Sequence, residues 1–209
     1  MSAHEIAPKH KTTEWWQTIA RRIRVPLGFL TALLYLYQLW LRQPHLSAIA
    51  WSLILVLPGL WLRAYASGYV KKNQELTQTG PYAYTRNPLY LGSILIAAGF
   101  AVALLSWPVA AMLTAMFLII YVPVIASEER FLRSNFADFE AYCHRVPRLL
   151  PRISPAPPPG SKTEVSSGNF SLDLYLRHRE YNASIGAALL YLCLLFLRPA
   201  LGLFLHLPQ

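Results

Sequence analysis

Apolar residues run in blocks too long and unbroken for an ordinary soluble helix or strand. Residues 25–41, 46–62 and 181–197 each give 17 positions free of Asp, Glu, Lys and Arg, and residues 87–127 give 41. A bilayer crossing takes about 20 mostly apolar residues, with a working range of roughly 17–25. The longest block is therefore two passes with a turn at Ser106-Trp107-Pro108, and the four blocks predict about five spans. The fold class is all-α: a multi-pass transmembrane helical protein with interfacial amphipathic helices.

Between the blocks the pattern changes period. Residues 12–24 place Trp15, Trp16, Ile19 and Ile23 at helical spacing beside Arg21, Arg22 and Arg24, which predicts a helix lying in the interface and leading into the first span. Arg42-Gln43-Pro44-His45 is short enough to make the first two spans an antiparallel hairpin. Pro58-Gly59 predicts a kink in the second span. Leu132, Phe136, Phe139, Cys143 and Val146 predict one amphipathic helix that begins at Glu128-Glu129 and ends before Pro147. Residues 151–169 hold five prolines and read as a linker. The last block is read as one pass kinked at Arg198-Pro199. The organisation is thus 1–24 interfacial helix, 25–66 hairpin, 67–150 core of loop, two spans and amphipathic helix, 151–169 linker, and 170–209 interfacial segment with the last span.

Composition agrees with a membrane setting. The chain is 55% hydrophobic and 14% charged, with 19 Lys and Arg against 10 Asp and Glu. Soluble domains carry roughly 25% charged residues. A net charge of +9 would suit nucleic acid, but every basic residue except Arg42 and Arg198 falls in segments that alternate spans place on one side. The excess is read as a topology signal, with the N-terminus cytoplasmic and no nucleic-acid partner. The first apolar run begins near residue 25 without a small-residue cleavage site, so it is expected to remain as a span. Cys143 and Cys193 do not make a disulfide framework.

Two polar clusters are not explained by the membrane. One runs from Gly80-Pro81-Tyr82 through Thr85-Arg86-Asn87-Pro88-Leu89-Tyr90 to Gly92, at the start of the third span. The other comprises Glu128-Glu129, Phe136 to Tyr142 and Val146-Pro147-Arg148, after the fourth. An antiparallel pair of spans brings both to one pocket facing the cytoplasm. A helix starting at Pro88 offers unpaired N–H groups and a positive dipole end to a carboxylate, with Arg86 beside it. Glu128 and Glu129 offer the opposite polarity to an ammonium or to ribose hydroxyls. A zwitterion with a carboxylate, an amine and a ribose suits both halves; S-adenosylmethionine is one, and methyl transfer is the corresponding chemistry.

The two clusters resemble the motif pair of the integral-membrane isoprenylcysteine carboxyl methyltransferase and phospholipid methyltransferase group, G-x-Y-x-x-x-R-H-P-x-Y-x-G and E-E-x-x-L followed by F-G-x-x-Y-x-x-Y and V-P-R. The resemblance covers about residues 68–152 and implies cofactor binding by Tyr82, Arg86, Asn87, Pro88, Leu89, Tyr90, Glu128 and Glu129. Gln74-Glu75-Leu76-Thr77 corresponds to a further cofactor-contacting strip of the eukaryotic enzymes. Asn87 stands where the group has histidine, Ala137 where it has glycine, and Val124 where the eukaryotic isoprenylcysteine enzymes have a substrate-linked arginine. The expected acceptor is a lipophilic molecule from the bilayer, first a prenylcysteine-type carboxylate, with a phospholipid or a small hydrophobic amine or thiol as alternatives. Glu129 is the candidate base for an amine or thiol. Arg148 is the candidate holder of a carboxylate or phosphate.

Plainer readings stand beside these. The Arg86–Gly92 stretch could be interfacial belt, Glu128-Glu129 a solvated helix start and Arg148 a headgroup contact. Tyr142 is read as packing, and Glu180 with Arg179 as a surface pair. His144, His178 and His206 lack metal-ligand spacing. An NADPH-dependent sterol-type membrane reductase, with a similar helical core, is the rival enzyme; a non-catalytic membrane scaffold is the third reading. Membrane lipids are the expected surroundings, and no protein partner is implied.

Overall fold

A computed structural model describes residues 11–42, 44–71, 75–157 and 169–205. Gln74, His206 and most of the proline-rich stretch lie outside these residues, and the side chains of the predicted interfacial helix are outside the description. Among the described residues every regular element is helical: α1 (Lys11–Leu41), α2 (Leu46–Ser67), a 3₁₀ turn (Gly80–Ala83), α3 (Pro88–Leu104), α4 (Trp107–Met116), a π turn (Phe117–Tyr121), α5 (Val122–Asn135), α6 (Phe139–Arg145), α7 (Leu172–His178) and α8 (Tyr181–Leu205).

Among the described residues two helical stretches are long and apolar enough to cross a bilayer, Leu46–Ser67 and the continuous Trp107–Asn135. Leu172–His178 with Tyr181–Leu197, bent by 60°, makes a third if taken as one span. Pro26–Leu41 and Pro88–Leu104 are shorter apolar helices. The expected five apolar segments are therefore all helical, and among the described residues two or three of them are long and apolar enough to count as spans.

The helices meet where side chains are smallest. A Cβ on Gly59 of α2 would stand 2.8 Å from the Gly92 carbonyl of α3, one on Gly92 would stand 2.8 Å from the Gly59 carbonyl, and one on Gly99 would stand 2.9 Å from the Ser52 carbonyl. Without side chains at these points the two backbones approach closely, as small residues allow in membrane helix pairs. Tyr35, Leu39, Val56, Phe100, Val109 and Leu194 fill the adjoining core. Tyr191 of α8 bonds the Ser52 hydroxyl at 2.8 Å. Trp51, Ile54, Leu57, Leu189 and Phe196 point outward, an apolar surface suited to lipid.

Several expectations are corrected. The neighbour of α2 is α3, whereas α1 packs chiefly on α4, the π turn and α5. Among the described residues the glycine seam gives α2 a closer partner than α1, whose Tyr35 and Leu39 share a core with Ile49 and Val56 of α2. The single amphipathic helix is two: α5 continues the span and stops where the Asn135 amide takes the Phe131 carbonyl (2.7 Å) and Phe136 turns extended. Asp138 then precedes α6. The backbone of α8 runs on through Arg198-Pro199, and the bend lies instead at residues 179–180, where Arg179 takes a left-handed conformation (φ 54°).

The two ends of the bundle differ. At one end Arg42 donates to the carbonyl of Leu105, the left-handed residue that ends α3 (3.2 Å). At the other end the start of α3, the end of α5 and the loops converge.

Candidate functional site

The first cluster folds back on itself before α3 begins. Gly80 has φ +58°, and a Cβ there would lie 2.6 Å from the Tyr69 ring, so this turn requires glycine on both counts. Pro81 opens the 3₁₀ turn, and Tyr82 and Ala83 are buried. Pro88 occupies the first turn of α3, where its missing N–H costs nothing.

Residues 83–86 and 147–156 run against each other as an irregular ladder. Arg86 N–H donates to the Pro147 carbonyl (2.9 Å), Arg152 N–H to Tyr84 (3.0 Å) and Ala156 N–H to Ala83 (2.9 Å). The start of the predicted linker is thus docked against the first cluster. Side chains reinforce the ladder. Asn87 does not cap α3; its Nδ2 donates to the Arg148 carbonyl at 2.8 Å. Thr85, fully buried, donates to the Leu149 carbonyl at 3.0 Å. Where the family motif has histidine, this asparagine joins the two motifs through the backbone.

On α5 the two acids take different partners. Glu128 Oε1 accepts the Tyr90 hydroxyl at 2.9 Å. Glu129 lies between two guanidinium groups, Arg86 Nη1 at 3.3 Å and Arg148 Nη2 at 3.2 Å. Glu129 and Arg86 side chains are 15% and 14% exposed, and Arg148 is 43% exposed. The π turn prepares this arrangement. Pro123 has no N–H to give to the Ile119 carbonyl, and the preceding Val122 N–H reaches back to Phe117 instead. Tyr121 then sits edge-on to Tyr90, ring centroids 5.6 Å apart.

Two buried polar atoms in this cluster have no hydrogen-bond partner among the described residues: Arg86 Nε, a donor, and Glu129 Oε1, an acceptor that has only its ion pair. With the N-terminus of α3 they form a polar set of both signs. Such a set fits the carboxylate and ammonium of an amino-acid-like cofactor.

Burial favours the protonated form of three further groups here, Tyr82, Tyr142 and Cys143. Burial pushes the Tyr82 phenol upward, with Tyr142, Glu128 and Glu180 adding to it. Tyr142 is raised by burial as well, and its hydroxyl donates to the Tyr82 carbonyl at 2.8 Å, which supports the packing role read from the sequence. Burial also raises the Cys143 thiol, against the opposing pull of Arg86, whose Nη1 donates to its sulfur at 2.6 Å. That thiol is a contact for Arg86, not a ready nucleophile.

The fold therefore brings together Arg86, Asn87, Glu129 and Arg148, with Tyr90 and Glu128 paired alongside and Tyr82 under the turn. Sequence reasoning gave Thr85 no role of its own within the first cluster, counted Arg63 only as a topology charge, and read Glu180 as a surface pair. Glu180 does not pair with Arg179; its Oε2 accepts from Arg63 Nε at 3.0 Å and Nη2 at 2.7 Å. The signal was present, since an acid beside an apolar block of a strongly basic chain has many cations to choose from and Arg63 closes another block.

With the site in view, comparison with known proteins fixes the family. A sequence model described as phospholipid methyltransferase matches residues 29–138, more than half of the chain. The chain belongs to the phospholipid methyltransferase family. The matched region contains the start of α3 and both acids of α5, whereas Arg148 and everything from α6 onward lie beyond it. The chain is 40% identical over 95 residues to the cobalt-zinc-cadmium resistance protein CzcN of Cupriavidus metallidurans, and 39% identical over 95 residues to the nickel-cobalt-cadmium resistance protein NccN of Alcaligenes xylosoxydans xylosoxydans. Each match covers 46% of this chain, and 43% and 44% of the two relatives, so less than half of each relative's length is spanned. No solved structure matches. Among the described residues no group of three His, Cys, Asp or Glu side chains is placed to hold a metal ion.

Proposed function

We propose that this family member transfers the methyl group of S-adenosylmethionine to a lipophilic acceptor that carries an anionic group and enters from the bilayer, with a prenylcysteine-type carboxylate or a phospholipid as the acceptor classes. The site would face the cytoplasm, the side on which the basic loops lie. The observation that carries this reading is Glu129 held between Arg86 and Arg148, which joins the two motifs at the start of α3.

The residues divide the work by their geometry. Arg86 Nε and the first turn of α3 would hold the cofactor carboxylate, and Glu128 with Glu129 its ammonium or ribose hydroxyls. When bound, S-adenosylmethionine supplies a methyl group already activated for transfer. The protein's part is then to orient the acceptor and exclude water, effects that together remove roughly 7–11 kcal/mol from comparable barriers. Arg148, more exposed than its partners, has donors to spare for an acceptor carboxylate or phosphate. A carboxylate acceptor needs no base, and Glu129 then serves by fixing both arginines. For an amine acceptor Glu129 is the group that takes the proton.

The test is a labelled-methyl transfer assay with total membrane lipids and prenylcysteine analogues. Alkali-labile label marks an ester, and alkali-stable label marks nitrogen. Absence of any transfer, together with saturable NADPH binding, would overturn the reading in favour of a reductase.

A further inference from the structure

The segment that follows the proline-rich stretch lies outside the matched family region, yet it is fastened to the site. Phe170 packs on the Tyr65 ring at a centroid distance of 6.1 Å, and the Ser171 N–H donates to the Gly68 carbonyl at 2.9 Å. From there α7 runs along the end of α2 to Glu180. Glu180 is 14% exposed and accepts two hydrogen bonds from Arg63, a residue of α2 that is itself 24% exposed. The same guanidinium reaches α3 through Nη1, which donates to the Leu89 carbonyl at 3.4 Å and to the Ser93 hydroxyl. Ser93 in turn bonds the Leu89 carbonyl at 3.0 Å. One arginine therefore links the α7–α8 break to the first turn of α3, the turn that carries Leu89 and Tyr90.

An arginine in this position has a choice of orientation. Its side chain is long, and without a carboxylate opposite it would turn toward water or headgroups, as basic side chains near a membrane do. Glu180 takes Nε and Nη2 and leaves Nη1 aimed at α3. The left-handed Arg179 at the 60° bend brings that carboxylate to the place where it can do so.

We propose that Glu180 is a positioning residue for methyl transfer: through Arg63 and Ser93 it fixes the first turn of α3 in the orientation that receives the cofactor. This rests on the function proposed above. It makes the C-terminal helix pair a working part of the site rather than an added anchor. Glu180 itself contacts neither cofactor nor acceptor, so its loss acts on cofactor affinity through α3.

The experiment is calorimetric titration of the full chain in lipid nanodiscs with S-adenosylhomocysteine, reading dissociation constant and stoichiometry separately. Glu180→Ala raises the dissociation constant about five- to ten-fold, the lower part of the usual range for coupled sites, at unchanged stoichiometry. Glu180→Gln, which keeps the length and an acceptor oxygen, recovers part of that loss. Asp173→Asn, which removes only the exposed pair with Arg177 on α7, leaves affinity unchanged. Ser93→Ala reads the same relay from α3, so the idea stays testable if Glu180 variants do not fold. The double variant Glu180→Ala/Ser93→Ala binds no more weakly than the weaker single variant. An unchanged dissociation constant in Glu180→Ala and Ser93→Ala overturns the inference and leaves the methyltransferase reading standing. Lowered stoichiometry at unchanged affinity shows a purely structural role and also overturns it. Absence of binding by the unaltered protein overturns both.

Discussion

Replacing Glu129 by glutamine keeps the volume and removes the one charge shared by two arginines. The cost follows from how well each pair is shielded. Breaking a buried ion pair typically costs about 3–5 kcal/mol because the partner is left charged and unpaired. Arg86, with 14% of its side chain exposed, falls near the lower end of that range. Arg148, 43% exposed, can turn to solvent, and its share is under about 1 kcal/mol. The expected loss is therefore about 3–4 kcal/mol, read by titrating the protein from mixed detergent micelles into denaturing detergent. Because most of it arises from a stranded cation, Glu129→Gln combined with Arg86→Gln is less destabilised than the sum of the two single changes, by about 1–2 kcal/mol. Glu128→Gln is the internal comparison: the amide oxygen can still accept the Tyr90 hydroxyl, so that change costs less than about 1 kcal/mol. Strict additivity of Glu129→Gln and Arg86→Gln, or a cost for Glu129→Gln no larger than that of Glu128→Gln, would refute the claim that this triad joins the two motifs.

Other parts of the structure make equally definite statements. Gly92→Val places a branched side chain where even a Cβ would be 2.8 Å from the Gly59 carbonyl, so the α2–α3 seam opens and the melting temperature in nanodiscs falls by the equivalent of about 1–3 kcal/mol; Gly186→Ala, with open space around it, leaves it within about 0.5 kcal/mol. Asn87→Ala removes the bond to the Arg148 carbonyl and costs about 1–2 kcal/mol, whereas a purely local helix cap would leave labelling of residues 147–150 by hydrogen exchange unchanged. Burial holds the Cys143 thiol above its ordinary pKa and Arg86 pulls against that, so iodoacetamide labelling followed by mass spectrometry rises only at alkaline pH and is slower still in Arg86→Leu; faster labelling in that variant would reverse the assigned sign.

The sequence was most informative where one physical requirement acts alone. Uninterrupted apolar blocks become helices because a bilayer leaves the backbone no other partner, and the turn at Ser106 was legible because Trp107-Pro108 starts a helix cleanly. The Asn87 and Glu129 regions were legible as motifs, although the direction of the Asn87 side chain was not: it departs from the cap of its own helix to meet a carbonyl 61 residues away. What escaped was set by competition between distant segments. The seam formed by Gly59, Gly92 and Gly99 makes α3 the closest-packed partner of α2, which the short 42–45 connection did not reveal. The break at Phe136 depends on which carbonyl Asn135 reaches, and periodicity through Leu132, Phe136 and Phe139 could not reveal it. Arg145 and Arg152, counted as topology charges, also stitch the loop, through Gln78 and the Pro157 carbonyl and through the Arg145 carbonyl respectively.

These cases share an asymmetry that follows from the charge balance. With 19 basic residues and 10 acidic ones, an arginine near the membrane can be satisfied by headgroups or water without a protein partner, so its position says little about contacts. A carboxylate there is repelled by anionic lipid and has cations from several segments within reach, so the partner it takes records which elements the fold brings together. Glu129 selects Arg86 and Arg148 and thereby joins the start of α3 to the strand-like run after α6. Glu180 selects Arg63 and joins the last helix to α2 and α3. In a basic membrane protein of this kind the scarce acids are the better guide to architecture. The arginines that matter are those an acid has chosen.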